Sequence, residues 1–266
     1  MLKLKLLPVF ILLFAGLHSG YSQLGFSHEI GAIVGPVQFR SDFGVRNHEG
    51  TNYGNSGFGI GIVHYINFAY RADCNCYSTD TYFNDHFKLR SEISFNKTKL
   101  DHHGQWAEGS GENAEKLRRH TGEANNFDIG MQLEYFPLSI REFQSFSYRL
   151  APFISLGAHY TSYNPKAYTT YVDPATGIAD NNILNANNFW DAWEPGSINP
   201  SSGSAWSMVT SVGVRYKLTT LSDLMLDLRL QTYFSDWIDG LNHQLESNKN
   251  NDYLLWLNVG YIYYLD

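Results

Sequence analysis

The densest group of side chains able to do chemistry is Asp101-His102-His103, followed by Glu108, Glu112, Glu115 and His120. Imidazoles and carboxylates gathered in this way suit metal ligation or proton transfer. A short helix over Glu112 to His120 puts Glu112 and Glu115 on one face, with Arg119 a turn further on. The competing reading is a solvated loop whose charges keep it in water. Serine hydrolysis needs a hydroxyl, an imidazole and an orienting acid in mutual contact. Ser155 and His159 lie too far apart along one extended segment, and no Gly-x-Ser-x-Gly is present. Asp173, Asp180, Asn181 and Asn182 have the composition of a calcium loop without its spacing. The two cysteines, Cys74 and Cys76, are separated by one residue. Their bridge would close a tight ring. A metal would need more ligands than Asp73, Asp80, Asp85 and His86 readily supply. A local disulfide or inert thiols is the expectation. No catalytic residues, metal ligands or cofactor are expected, so the reading is non-enzymatic.

The stretch from Ala167 to Ser204 carries Tyr168, Tyr171, Phe189, Trp190 and Trp193 among Asn, Pro and Gly. Such a loop offers an aromatic surface to a protein or glycan partner. Alternatively it packs its own aromatics over whatever lies beneath.

These groups need a scaffold, and the chain's start says where it is built. Lys3 and Lys5 precede the apolar run Leu6 to Leu17, and Gly20-Tyr21-Ser22 supplies small residues before Gln23. This reads as a cleaved signal peptide over residues 1–22, with one domain over 23–266. Removing the two lysines leaves 17 basic residues against 26 acidic ones, which excludes a nucleic-acid footprint. Mean hydropathy is −0.30, and nothing past the N-terminus is apolar enough for a transmembrane helix.

Alternating residues recur in eight segments. The last, Asp252 to Asp266, sets Leu255, Leu257, Val259, Tyr261, Tyr263 and Leu265 against Trp256, Asn258 and Gly260. Phe58, Ile60, Ile62, His64, Ile66 and Phe68 oppose Gly57, Gly59, Gly61, Val63, Tyr65 and Asn67. Side chains two apart share a face of a strand. Pro152, which cannot donate to a ladder, must sit near a strand's start or at a bulge.

Alternation alone leaves the inside undetermined, since a soluble eight-stranded barrel turns its apolar set inward. Three features argue for the inverted arrangement. The polar faces hold Gly and Ser with long charged residues of both signs: Glu29, Lys88, Arg90, Glu92, Asp128, Glu134, Arg215, Asp227 and Arg229. Buried charges must pair, and these nearly can. Long and short connections alternate, as in outer-membrane barrels. The connection from Arg71 to Asp85 is longer than that rule expects. Finally, Phe68, Tyr70, Tyr135, Phe136, Tyr216, Tyr261 and Tyr263 gather at one set of strand ends, where an interfacial girdle belongs. His28 and His64 are expected at the same interface. The expectation is an all-β, eight-stranded antiparallel up-and-down transmembrane β-barrel with long extracellular loops, in the outer membrane of a diderm bacterium.

The run from His28 to Gly35, then Phe39 to Gly44, Gly57 to Phe68, Pro152 to Gly157 and Tyr163 to Ala167, together resemble the PorG-like family. These are small outer-membrane barrels associated with type IX secretion. The Cys74–Cys76 connection lies outside the pattern. The resemblance implies a non-enzymatic anchor or scaffold contacting lipoprotein or periplasmic subunits of an envelope complex, besides membrane lipids. The rival expectations are a barrel that binds through its surface loops, and a membrane-embedded hydrolase or acyltransferase dependent on His102, His103 or His159.

Overall fold

The computed structural model describes residues 26–46, 48–68 and 82–265. The signal peptide, Tyr70 and the Cys74–Cys76 pair lie outside them.

Eight long strands form one antiparallel sheet that closes on itself. They are β1 (Ser27–Arg40), β2 (Ser56–Asn67), β3 (Phe87–Asp101), β4 (His120–Tyr135), β5 (Leu150–Tyr163), β7 (Gly203–Thr219), β8 (Ser222–Tyr233) and β9 (Tyr253–Tyr264). A short strand, β6 (Lys166–Thr169), continues the line of β5 alongside the outer end of β4. Each long strand pairs with the next, and β1 closes on β9, with Ile30 opposite Tyr263.

The path of directly paired residues from Ile30 runs through His64, Ser91, Met131, Ala158, Met208, Thr232 and Tyr253, and returns at Arg40. It rejoins β1 ten residues higher, counting from 30 to 40. With eight strands, that stagger sets a tilt of about 40° and a bore that side chains can fill.

Which way the strands face is settled by exposure. Ile30, Ile62, Ile93, Met131, Leu156, Val212, Leu228 and Val259 all point outward and are exposed, one from every long strand. The partners they alternate with, among them Ile33, Glu92, Gln132 and Arg229, are buried inside. A continuous apolar outer band around a polar interior belongs in hydrocarbon, not water. Among the described residues no helix is long and apolar enough to cross a membrane. The strands do the crossing.

Both described chain ends lie at the same end of the barrel, where the Leu265 N–H donates to the His28 carbonyl at 2.9 Å. That end also holds the tight β7–β8 hairpin, whose strands rejoin at Thr219 and Ser222. Short turns mark the periplasmic side. Pro152 is the third residue of β5, opposite Val214 and beyond the last β4 pairing at Ile154. On its β4 side no ladder bond is lost.

The expected girdle is largely in place, with Tyr216, Tyr261 and Tyr263 exposed at the periplasmic end. His28 and His64 stack there at 5.3 Å on adjacent strands. Phe136 corrects the expectation. It follows outward-facing Tyr135 by one residue, so the pleat turns it inside, where it lies 5.5 Å from Phe153.

Candidate functional site

The barrel interior is filled by one charge network. Glu29 accepts from Lys88 and from Arg215 at 2.6 Å, and Arg215 reaches Glu134 at 3.1 Å. Arg90 contacts Glu92 at 2.8 Å, Asp227 at 3.1 Å and Glu134 at 3.5 Å, while Arg229 grips Glu92 at 2.6 Å. Asp128 has no cation beside it among the described residues. It is held instead by the Thr161 hydroxyl, by Gln231 at 2.8 Å and by Asn96 at 3.2 Å. The sequence reading missed two members, Lys217 and Asp223, which meet at 3.3 Å and extend the network to the periplasmic turn. Their signal was available, because they continue the inward phase of β7 and β8 through Arg215 and Asp227.

Close backbone approach makes room for the larger fillers. A side chain at Gly59 would collide with the Trp256 indole, and one at Gly130 with the His159 ring. Trp256 in turn lies 4.9 Å beneath the Arg229 guanidinium. His159 is thus an interior filler, fully buried and 3.2 Å from Gln132. Charges paired this closely fill the described interior with side chains.

The outer loops fold into a cap over this filled bore. The histidine–carboxylate group dissolves into separate parts. His102 and His120 do meet, ring nitrogen to ring nitrogen at 3.0 Å, with Phe43 stacked 4.6 Å from His102. The carboxylates go elsewhere. Glu115 binds Arg118 and Arg119 on the helix Glu112–Arg119, and Glu112 binds Lys116 and the Tyr171 hydroxyl. No trio of His, Cys, Asp or Glu among the described residues is placed to hold a metal.

The five loop aromatics do not make an exposed surface. Tyr171, Phe189 and Trp193 are buried, Trp190 is half-buried, and Tyr168 stands exposed on β6. A long loop over a barrel mouth buries its own rings because nothing else covers them.

Two of those rings, Trp190 and Trp193, help wall a cavity of about 500 Å³, lined also by Asp42, Phe43, His102, Trp106 and His243 among others. Trp190 lies 5.9 Å from Trp106 and 6.1 Å from Trp193, the latter pair nearly perpendicular at 75°. Trp193 also stacks on His243 at 5.8 Å. Its indole N–H has no hydrogen-bond partner among the described residues. Burial holds His102 well below its ordinary value, with His120 adding to the effect, and brings His243 down to about 4. Both rings are neutral at physiological pH.

Below the cavity floor, Arg46 faces three carboxylates: Asp42 at 3.1 Å, Asp236 at 2.5 Å and Asp252 at 3.1 Å. Asp239 joins them through its bond from the Asp42 N–H. One guanidinium cannot neutralise four carboxylates in a dry site. Burial, reinforced by the neighbouring acids, raises Asp42 to about 9, and burial raises Asp239 to about 7. None of this group was anticipated. Its four acids sit just past strand ends, in loops that meet only when the barrel closes.

The fold and its outward apolar band define an outer-membrane β-barrel of the small, filled, eight-stranded class. No protein-family model and no curated protein sequence matches the chain. Among solved structures it is similar to Ail, the attachment invasion locus protein of Yersinia pestis, at 9% identity over 90% of this chain and 99% of that one, with a TM-score of 0.40. Neisserial surface protein A gives 13% identity, 89% and 96% coverage, and 0.42. A major outer membrane protein from Thermus thermophilus gives 13%, 90% and 99%, and 0.44.

Proposed function

We propose that this protein is a non-enzymatic, non-conducting barrel whose working part is its outer cap, which captures a small ligand at the cell surface. The observation that carries this reading is the aromatic cavity of about 500 Å³ above a bore plugged by ion pairs. Pockets of this size with apolar walls and a few polar groups are the usual form of small-molecule sites. The reading is favoured over a hydrolase or acyltransferase built on His102, His103 or His159 because His102 pairs with His120, ring nitrogen to ring nitrogen at 3.0 Å, and His159 packs 3.2 Å from Gln132 inside the bore.

A second reading keeps the barrel as an anchor or scaffold in an envelope complex, the type IX secretion machinery by the resemblance above. It is favoured by the built periplasmic end. There, Asp85 on the helix Tyr82–His86 accepts from the Arg141 backbone at 3.1 Å, and Tyr82, Phe83 and Leu138 are left exposed.

Purification from outer membranes in mild detergent, after cross-linking, separates the two. A barrel recovered alone, whose surface ligand is lost in Trp106→Ala/Trp190→Ala, supports the cap. Stoichiometric envelope subunits, retained in that variant and lost in Tyr82→Ala/Phe83→Ala, support the scaffold.

A further inference from the structure

On the outer wall of the barrel, unshared positive charge at the extracellular rim is confined to one sector. Lys97 and Lys99 face outward from β3 and Lys166 from β6, all three exposed. Glu123 on β4 stands between them, opposite Lys99 in one ladder and opposite Lys166 in the other. One of its carboxylate oxygens takes Lys97 at 3.0 Å and Lys166 at 3.6 Å. That acid is the more buried partner, at 19% against 46% and 47%, so the ammonium groups form the outer layer. Asp101 lies one outward step above Lys99, and Arg40 on β1 is taken by Glu49. At the same end of β5, β7, β8 and β9 the outward positions are Ser162, Ser204, Thr232 and Tyr253, all uncharged.

The height of the patch says what it meets. Phe87 packs beside Tyr135 at the periplasmic end, ten residues below Lys97 on β3. At about 3.3 Å per residue and a tilt of about 40°, that distance is about 25 Å, the full height of an outer-membrane apolar band. Beside and beneath the lysines, Phe58, Phe95 and Phe127 are exposed where hydrocarbon begins. The lysines therefore stand at the headgroup level of the outer leaflet. Paired strands hold them there, so their spacing is set before any ligand arrives.

We infer that this sector binds a glycolipid of the outer leaflet through phosphate on its sugar headgroup, with acyl chains laid against Phe58, Phe95 and Phe127. Ammonium groups only donate hydrogen bonds, and they meet phosphate as point charges. Each lysine at a membrane surface adds attraction for an anionic headgroup, fading within a Debye length. An uncharged headgroup would use the rings alone. The cap cavity takes no part, so the inference stands apart from the ligand-capture reading.

The test titrates bisphosphorylated lipid A, and the same lipid stripped of both phosphates, into the full-length protein in dodecyl maltoside. Native mass spectrometry counts the bound lipid. Saturable binding of the phosphorylated form is expected, with the stripped form weaker by at least about tenfold. Lys97→Gln/Lys99→Gln should weaken the phosphorylated form by at least about tenfold, and Lys166→Gln by about fivefold. Arg119→Gln/Lys249→Gln removes as much charge as the first pair from exposed cap positions, and should leave binding unchanged. Equal binding of the two lipids would overturn the inference, as would equal losses in the two double variants. So would displacement by inorganic phosphate at the lipid's own concentration, which would make the patch a site for soluble anions. A protein that binds neither lipid overturns it as well.

Discussion

Arg46 is the residue on which the cap depends. It reaches Asp42, Asp236 and Asp252 at once, and its backbone N–H takes Asn248. Arg46→Ala would leave four buried acids with no counter-charge, at a cost of about 3–5 kcal/mol, the usual penalty for breaking a buried pair. Tryptophan fluorescence under urea should show the cap opening well before the barrel. The same cluster makes the cap sensitive to alkali. Asp42 and Asp239 have folded values raised from 3.8 to about 9 and about 7. An acid raised on folding stabilises fully below its unfolded value, and that contribution is lost as pH climbs through the folded one. The cap should therefore loosen progressively as pH climbs from the unfolded value of 3.8 towards about 9. Hydrogen exchange at the Leu241 amide, which donates to Asp239, and at the Ile238 amide, which donates to Asp252 of the same cluster, reads this directly. Asp42→Asn should flatten the dependence. An unchanged slope would mean that Asp42 is not the group that titrates.

At the scale of elements, each strand's outward row sets its tolerance to charge. Leu228→Arg, near the middle of β8, should cost about 2–4 kcal/mol, whereas Tyr261→Arg, near the periplasmic girdle, should cost at most about 1 kcal/mol. Refolding into vesicles under urea measures both. Inside the bore the rule inverts. Glu92→Gln removes the shared partner of Arg90 and Arg229 and should destabilise by about 3–5 kcal/mol, while Glu92→Gln with Arg229→Gln recovers part of the loss. The strands were legible in the sequence because a period of two is local. Ile62 and Val63, or Arg229 and Leu230, declare their faces without reference to any other strand. Where the pleat was overlooked the reading failed, as at Phe136. Loop aromatics were visible as a set, but their burial was not. Whether Trp193 faces solvent or His243 depends on four loops that meet across hundreds of residues, and no periodicity records that. The pairings of Arg46 with Asp236 and Asp252 were hidden for the same reason.

For the whole molecule, the filled bore predicts electrical silence. Planar bilayers containing the protein should show no stepwise conductance at any pH where the cap is folded. A stable open level would contradict an interior in which Arg90, Arg215 and Arg229 each touch carboxylates. The closure of β1 on β9 has a further consequence for how the molecule is made. Its seam joins Ile30 to Tyr263 and Val34 to Val259, contacts between the first and last described strands of the barrel. Until that final strand arrives, the nascent sheet carries two raw edges, each able to recruit a foreign strand. A chain stopped before Tyr253 would therefore be exposed at β1 and β8 together, an open ribbon fit for proteolysis or aggregation rather than insertion. Its survival in the envelope would depend on a helper that holds those two edges until the last strand is delivered.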